Sequence, residues 1–272
     1  MTMTASTYHR DHPLIAIEKL NVSFGENVIL RDINLSILDL HRTSVQQGQV
    51  VSILGPSGCG KTQLLKCISG LMKPTAGDIL LKTERKPVTA GDVGFVFQHY
   101  PLMQHRTIMQ NLTIAANNAN KPQTEIDQLL VQFSLADKAD LYPAQLSGGQ
   151  RQRISIIQQI LCSDHFLLMD EPFSGLDIVS KQKMMDLILQ ISLLHEQNTI
   201  IVTTHDIEAA VAISDTIWVL GHQYTDNVLV PGATVLREVD LIERGLTWNP
   251  DVRRHPNFRT TCDELHGMFY TG

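Results

Sequence analysis

The sequence predicts an α/β fold, and two patterns carry the prediction. Apolar runs of strand length, such as VVSILG at 50–55 and FLLMD at 166–170, alternate with helical segments along most of the chain. Such alternation is typical of a sheet with parallel strands, and almost wholly apolar runs indicate strands buried on both faces. Segments 14–24 and 28–38 instead alternate apolar and polar residues in part. They indicate an additional antiparallel layer at the N-terminal end of the fold.

The middle of the chain supplies the remaining elements. We expect a helical subdomain at about 98–158, because residues 107–142 are polar and helix-forming and include the amphipathic stretch EIDQLLVQFSL. The other predicted elements are a helix from Thr62, strand segments within 79–97, a helix at 151–162, a strand at 166–170, a helix at 181–197, a strand at 199–205, a helix at 207–214 and a strand at 216–221. These elements complete the expected sheet and its covering helices.

Two further segments need a separate interpretation. LDLHRTSVQQ at 38–47 is longer than the turn expected between two strands, and the segment 39–48 is interpreted as a tolerated surface-loop insertion, with a regulatory contact as the alternative. The C-terminal extension 222–272 carries a predicted strand in ATVLREVDL and then a predicted helix. The apolar positions of this helix share one face: Phe258, Cys262, Leu265 and Phe269. We expect the helix to pack on the core, with partner docking or ligand sensing as the alternative.

Composition and charge narrow the functional classes. The chain has 272 residues, and 22 Lys and Arg against 28 Asp and Glu give a formal net charge of -6, which argues against nucleic acid as a partner. The four cysteines show no metal-ligand spacing and are interpreted as free thiols of a reducing compartment. The apolar runs are far shorter than the ~20 residues of a membrane-spanning helix, and the first residues lack a signal-peptide apolar stretch. We therefore expect a cytoplasmic protein that reaches a membrane only through a partner.

The motif GPSGCGKT at Gly55–Thr62 predicts a nucleotide site. It fits the phosphate-loop pattern GxxxxGK[ST] between a buried strand and a helix, where glycines turn backbone N–H groups toward phosphates and the helix N-terminus adds partial positive charge. Lys61 is predicted to reach the β- and γ-phosphates, and the Thr62 hydroxyl to bind Mg²⁺. Cys59 is interpreted as a packing residue rather than a redox switch. The predicted ATP-binding residues of this loop are Gly55, Pro56, Ser57, Gly58, Cys59, Gly60, Lys61, Thr62 and Gln63.

Two carboxylates end the apolar strand FLLMDE. Asp170 is predicted to hold Mg²⁺ through its hydration shell, and Glu171 to polarise the attacking water. General-base assistance of this kind is worth roughly 10² to 10⁴ in rate. The alternative is an acidic pair that caps the next helix.

LSGGQRQR at Leu146–Arg153 predicts a second anion-binding helix N-terminus. One chain has no obvious use for two such sites on one triphosphate, whereas two chains arranged head to tail do. Each chain would then place this turn against the γ-phosphate held by the other. The residues predicted to face the partner's ATP are Leu146, Ser147, Gly148, Gly149 and Gln150.

Together, the phosphate loop, LSGGQ and the Asp170–Glu171 strand end resemble the ATP-binding cassette (ABC) family over about residues 14–221. The resemblance implies a P-loop NTPase sheet core of the RecA-like type and a dimer that sandwiches ATP with Mg²⁺. Further roles are carried over by position. Phe24 resembles the aromatic residue that stacks on adenine, with a core strand phenylalanine as the alternative. Gln98 resembles the glutamine that senses Mg²⁺ and the γ-phosphate while contacting the membrane subunit.

Two more positions resemble functional residues of this family. Asp177 in SGLD resembles the aspartate that crosses the dimer interface. His205 resembles the switch histidine that hydrogen-bonds the γ-phosphate, although a lone histidine after a strand is usually structural. The catalytic set implied in this way is Lys61, Gln98, Glu171 and His205, and the Mg²⁺ set is Thr62, Gln98 and Asp170.

The resemblance implies the ATP-binding and ATP-hydrolysing subunit of a transporter, more specifically an importer of a small solute that could be an anion. DEPFSGLD, with Phe173 after the proline, is similar to importers of the nitrate, sulfonate and taurine group. The implied partners are a second copy or a paralogous ATPase subunit, transmembrane permease subunits and a solute-binding protein, at the cytoplasmic face of the inner membrane. The alternatives are a soluble ABC ATPase that acts on a macromolecule and a P-loop small-molecule kinase.

Overall fold

Two large sheets and seven α-helices form the part of the chain that the computed structural model describes, which is residues 8–42, 46–82, 84–97, 101–163, 165–226, 228–247, 249 and 251–270. The strands are β1 (Tyr8–Phe24), β2 (Asn27–Arg42), β3 (Gln49–Leu54), β4 (Ala76–Leu81), β5 (Lys86–Pro87), β6 (Gly94–Val96), β7 (Phe166–Asp170), β8 (Thr199–Thr204), β9 (Thr216–Gly221), β10 (Tyr224–Thr225), β11 (Val228–Leu229) and β12 (Thr234–Asp240). The helices are α1 (Lys61–Ile68), α2 (Ile108–Asn118), α3 (Gln123–Gln132), α4 (Gly148–Cys162), α5 (Ile178–Ser192), α6 (Ile207–Ile213) and α7 (Pro256–Tyr270). None of these helices has the length and apolar character needed to cross a membrane.

The central sheet has the strand order β12-β9-β3-β8-β7-β6. Strands β9, β3, β8, β7 and β6 run parallel, and their almost uniformly buried residues match the apolar runs of the sequence. The predicted α/β class is therefore confirmed. Because the carboxyl ends of parallel strands meet at one edge, the loops after β3, β7 and β8 lie together, as in other open α/β sheets that bind ligands at this edge.

The second sheet is antiparallel, with the strand order β2-β1-β4-β5. It packs on the central sheet through an apolar layer that includes Ile15, Ile33 and Ile53, all fully buried. The predicted antiparallel layer is confirmed, but the interpretation of 39–48 as a surface loop is wrong for residues 39–42. These residues continue β2 and pair with the first residues of β1, out to Tyr8 opposite Arg42.

Buried contacts that are not evident from the sequence pattern stabilise the extension of β1 and β2. Leu40 is buried, and the Arg42 guanidinium pairs with Asp215 at 3.0 Å, with only 1% of the Arg42 side chain exposed. Burial lowers the pKa of Arg42, and the nearby Asp215 carboxylate opposes that shift. Because its partner Asp215 is distant in sequence, Arg42 looks like a residue of a polar loop when the sequence is considered alone.

Helices α2, α3 and α4 lie in the region where the sequence predicts a helical subdomain. They pack against β6, β7 and α5 through a shared apolar core that includes Leu112, Ile126 and Ile154. Thr107 begins α2 with a reciprocal capping box, in which its hydroxyl accepts from Gln110 N–H and its own N–H donates to Gln110 Oε1. Residues 98–100 lie outside the described part of the chain.

The C-terminal segment is built into the same layers. Strand β12 pairs antiparallel with β9 and forms one edge of the central sheet. Helix α7 buries Phe258, Cys262 and Leu265 against a cluster that includes Val211 of α6 and Val219 of β9. The predicted strand and the predicted packing of the helix on the core are both confirmed.

Candidate active site

The phosphate-loop sequence forms a tight turn between β3 and α1. Gly58 and Gly60 adopt left-handed backbone angles of φ +83° and +98°, which residues with a Cβ rarely adopt. A Cβ on Gly60 would also come within 2.8 Å of Leu30 Cδ2, a fully buried side chain. The turn therefore requires glycine here, and it leaves the N-terminus of α1 facing the carboxyl edge of the sheet.

Lys61 is buried at the first position of α1, with 5% exposure. Its ammonium donates to the carbonyls of Gly55 at 2.9 Å and Pro56 at 3.0 Å, and Nζ lies 3.0 Å from Glu171 Oε1. An ammonium has three donors. The two loop carbonyls and the Glu171 carboxylate thus provide a partner for each of the three donors of Lys61, and they fix its position.

The Thr62 hydroxyl contacts Asp170 across the gap between α1 and β7. It donates toward both carboxylate oxygens, at 2.9 and 3.1 Å, and the Thr203 hydroxyl donates to Asp170 Oδ1 at 2.7 Å. Sequence reasoning missed Thr203. Its signal was the parallel pairing of β7 and β8, which places Asp170 opposite Thr203 in register. Thr62 and Asp170 offer the hard oxygen ligands that Mg²⁺ prefers, so this pair fits a magnesium site.

Glu171 stands one residue beyond β7 in a left-handed conformation, φ 48°. Non-glycine residues seldom adopt it, and such strain is often found at functional sites. The backbone N–H of Glu171 donates to the Thr203 carbonyl and hydroxyl, and its Oε2 lies 2.9 Å from His205 Nδ1. The alternative that Glu171 caps the next helix is wrong, because α5 begins at Ile178 and Asp177 caps it.

The Cys59 side chain is buried in the apolar cluster that also contains Ile53 and Leu64. It is 3% exposed, and a Cβ on Gly55 would lie 2.8 Å from its sulfur. Burial raises the pKa of the Cys59 thiol, and the opposing effect of Lys61 is smaller. A thiol with a raised pKa carries little thiolate at neutral pH, which supports the interpretation of Cys59 as a packing residue.

The LSGGQ segment begins α4. The Ser147 hydroxyl accepts from Gln150 N–H at 3.3 Å, and Gln150 Oε1 accepts from Ser147 N–H at 2.8 Å. Leu146 is buried and anchors the turn, whereas Ser147, Gly148 and Gly149 are exposed. A Cβ on Gly148 or Gly149 would meet no atom of the described residues within 4 Å. The turn is thus an open surface at a helix N-terminus.

The remaining predicted residues are more dispersed. Phe24 ends β1 with 55% of its surface exposed, so the alternative of a core strand phenylalanine is wrong. Asp177 is exposed, and its carboxylate accepts from Ser180 N–H and Oγ. These hydrogen bonds, the backbone one first, lower the pKa of Asp177. Gln98 lies outside the described residues.

Two neighbouring features were not expected from sequence. A cavity of about 220 Å³ borders Asp170 and Glu171 and is also lined by the buried Gln152 of α4. Next to His205, Asp206 caps α6 and pairs with Lys181 of α5. The structure therefore brings Lys61, Thr62, Asp170, Glu171 and His205 into one connected group.

Comparisons with known proteins agree with this geometry. The chain is 38% identical over 226 residues to a sulfate/thiosulfate import ATP-binding protein of Gloeobacter violaceus, covering 80% of this chain and 62% of the relative. It is 37% identical to the protein of the same name in Pseudomonas aeruginosa, covering 80% of this chain and 68% of the relative. The chain thus spans about three fifths of the length of the curated relatives it matches.

A solved structure and a family model also relate the chain to ABC transporter proteins. The structure of cbiO1 from Clostridium perfringens, described as part of the ABC transporter complex cbiONQ, superposes with a TM-score of 0.70 at 25% identity, covering 95% of this chain and 99% of that chain. The ABC transporter family model matches residues 38–174, half of the chain, including the phosphate loop, the LSGGQ turn and the Asp170–Glu171 strand end. The chain belongs to the ABC transporter family.

Proposed function

We propose that this chain binds and hydrolyses ATP as a subunit of an ABC importer. One observation carries the proposal: a single network of polar contacts joins the phosphate-loop Lys61 to Glu171 and His205, with Thr62 and Asp170 paired beside it. One edge of the sheet thereby carries three parts: a phosphate-binding turn, a carboxylate that can activate water, and two oxygen-bearing side chains that can bind a metal ion. Triphosphate hydrolysis needs these three parts together.

The residues divide the chemical work. Glu171 takes the proton of the attacking water, since its carboxylate contacts Lys61 of the phosphate loop and has His205 beside it. Lys61 exchanges carbonyl contacts for phosphate oxygens and neutralises the charge that develops on the transferred phosphoryl group. Thr62 and Asp170 would hold Mg²⁺, which when bound supplies further charge neutralisation. Thr203 positions Asp170 through its hydrogen bond.

Two copies of the chain form the complete site. The exposed turn at Ser147–Gly149 has room above both glycines, and the exposed Phe24 ring offers a face for adenine stacking. Asp177, also exposed, lies at the head of α5 on the segment that follows Glu171. In the proposed dimer, each LSGGQ turn contacts the γ-phosphate on the partner's phosphate loop. A paralogous subunit could replace the second copy.

The transporter assignment extends to a small anionic solute and to membrane partners. Relatives at 37–38% identity are named for sulfate/thiosulfate import, and the similar cbiO1 is part of a transporter complex. Sulfonates, taurine and nitrate, to which DEPFSGLD pointed, belong to the same chemical class of small acids and oxyanions. Permease subunits and a solute-binding protein complete the proposed complex, with this chain peripheral at the cytoplasmic face of the inner membrane.

Purification from detergent-solubilised membranes tests the proposal. A tag on this chain should recover a multi-span subunit, and the recovered complex should release phosphate from ATP faster than the isolated chain. The Lys61→Ala variant, carried through the same purification, should recover the partner but release no phosphate. Recovery of ribosomes or nucleic acid, with ATPase unaffected by membranes, would favour a soluble ABC ATPase. Phosphate appearing on a small acceptor instead would favour a kinase.

A further inference from the structure

The far end of the β1–β2 pair carries a group of side chains that the nucleotide site does not use. We call it the hairpin histidine cluster, and its members are His9, Asp11, His12, Asp39 and His41. It lies where β1 and β2 extend beyond the predicted strands, and His9 and His41 are cross-strand partners there. The cluster joins three imidazoles and two carboxylates.

The strand register sets the cluster. His9 and His41 are direct cross-strand partners, so their side chains project on the same face of the sheet. Their rings stack with centroids 5.0 Å apart and planes inclined by 21°. Asp11 is two residues from His9, and Asp39 is two residues from His41, which is the spacing of side chains on one face of a strand.

The distances match a metal site. Asp11 Oδ2 lies 3.6 Å from His9 Nε2 and 3.5 Å from His41 Nε2. The potential ligand atoms of these three residues all lie within 4.8 Å of one another. Tetrahedral Zn²⁺ with bonds of 2.0–2.2 Å separates its ligand atoms by about 3.3–3.6 Å. Two of the three edges therefore already have the required length.

Charge and neighbours favour a cation. Asp39 Oδ2 lies 3.2 Å from His41 Nε2, and the Asp39 side chain is only 11% exposed, so a second carboxylate borders the same nitrogen. The neighbouring arginines are engaged elsewhere: Arg10 with Asp240, and Arg42 with Asp215. Among the described residues of the cluster, both carboxylates therefore lie beside imidazole nitrogens, and the two arginines next to them in sequence pair with other carboxylates. Imidazole with carboxylate suits Zn²⁺ better than Mg²⁺, which prefers oxygen ligands alone.

We propose that His9, Asp11 and His41 bind one Zn²⁺ ion, with Asp39 as the adjacent carboxylate. The ion joins the first residues of β1 to the last residues of β2. Three ligands from two strands would hold this end of the pair together, where the β1–β2 register shifts between Arg10 and Pro13. The site is separate from the nucleotide site, whose proposed Mg²⁺ ligands are on α1 and β7.

A titration with Zn²⁺ alone tests the proposal on metal-depleted full-length chain without a polyhistidine tag. Calorimetry should show one ion per chain, and His41→Ala and Asp11→Asn should each weaken binding at least ~10-fold, the lower end of the loss seen even for outer-shell partners. Co²⁺ in place of Zn²⁺ should give the visible absorption of a tetrahedral site, which both variants should lose. The control His105→Ala, an exposed histidine of the helical region, should bind as the parent does.

The competing zinc-binding location is the nucleotide site, where His205 lies beside Glu171. Loss of Zn²⁺ binding in His205→Ala, with binding kept in His41→Ala, would overturn the proposal. Absence of saturable binding in the parent chain would overturn it as well. Because His9 and Asp11 are exposed and His41 is only partly buried, the metal-free variants should unfold at the parent's denaturant midpoint, so a binding loss reports on ligation.

Discussion

The phosphate-loop region and the LSGGQ turn are both helix N-termini suited to phosphate, yet they are built differently. At the first, Lys61 is 5% exposed, and its ammonium contacts two loop carbonyls and Glu171. At the second, the Ser147 hydroxyl and the Gln150 amide bond to each other's backbone, and a Cβ on either glycine would meet no atom of the described residues within 4 Å. The polar groups of the phosphate-loop region are held by contacts within the chain, whereas the LSGGQ turn is an exposed surface.

The difference between the two helix N-termini indicates where the proposed second chain would bind. A site whose polar groups are fixed by their own chain is preorganised for ligand, so the phosphate loop can bind nucleotide alone. The described residues do not enclose the LSGGQ turn in this way, and in the proposed dimer the surface of the second chain covers it. We therefore expect binding and turnover to separate in variants: changes at the loop affect both, and changes at the turn affect turnover through association.

The largest effect should come from Glu171→Gln. Removing the carboxylate that activates water should lower phosphate release by roughly 10² to 10⁴, the usual contribution of a general base. ATP affinity should persist, because the amide keeps the shape of the side chain and Lys61 can still exchange its loop carbonyls for phosphate oxygens. Phosphate release and nucleotide binding are measured on the same protein. Turnover within a few-fold of the parent would remove Glu171 from the role of base.

A matched pair of glycine substitutions should sharpen the comparison. Gly60→Ala forces a Cβ into a φ of +98° and toward Leu30, so unfolding free energy should fall by about 1–3 kcal/mol and nucleotide affinity with it. Gly149→Ala meets open space in the first turn of α4, so stability should stay equal or rise by about 0.5–1 kcal/mol. Urea unfolding measures both. Equal destabilisation by the two changes would contradict the contrast between the regions.

Two variants of Ser147 distinguish its role as the N-cap of α4 from its proposed contact with the phosphate of a partner's ATP. Ser147→Ala removes the N-cap acceptor of α4 and should lower stability by ~1 kcal/mol. Ser147→Asp restores a capping acceptor but adds negative charge, so it should keep the parent's stability and still lose turnover. Urea midpoints and phosphate release distinguish the two effects. A Ser147→Asp chain with full turnover would show that this turn does not meet phosphate.

The smallest expected effect is on the pH dependence of stability, and it concerns Asp206, the residue next to His205. Burial raises the pKa of this carboxyl, but hydrogen bonds from Lys181 and Ala209 N–H and the charge of Lys181 lower it by more, below its ordinary 3.8. The stabilisation is complete above the ordinary value and is lost as pH falls through the lowered pKa. Asp206→Asn should therefore flatten the fall in urea midpoint between about pH 5 and pH 2. An unchanged slope would remove Asp206 from the acid response.

The sequence allowed much of this site to be predicted, because its chemistry depends on residue types at fixed spacing. The loop around Lys61 and the strand end at Asp170 each sit in an unambiguous apolar context. Thr203 was not predictable in the same way, since its contact with Asp170 depends on which strands are neighbours and in which register.

The far end of β1 and β2 escaped prediction for a related reason. HRDH and LDLHR carry too many polar residues to show strand periodicity, and their pairing is stabilised by distant groups such as Asp215, which holds Arg42. A contact that joins residues far apart in sequence leaves no local pattern. The hairpin histidine cluster depends on the same pairing and became visible only with it.

Nucleotide-dependent association of the Glu171→Gln chain tests the central claim most directly, namely that two copies make one site. Light scattering or sedimentation should show a monomer without nucleotide and a dimer with ATP, because the slowed turnover preserves the sandwiched state. Glu171→Gln combined with Gly149→Glu should bind ATP equally well and remain monomeric, since the added carboxylate would face the partner's phosphate. ATP-driven dimers in the double variant, or saturating ATP with no dimer in Glu171→Gln, would contradict the account.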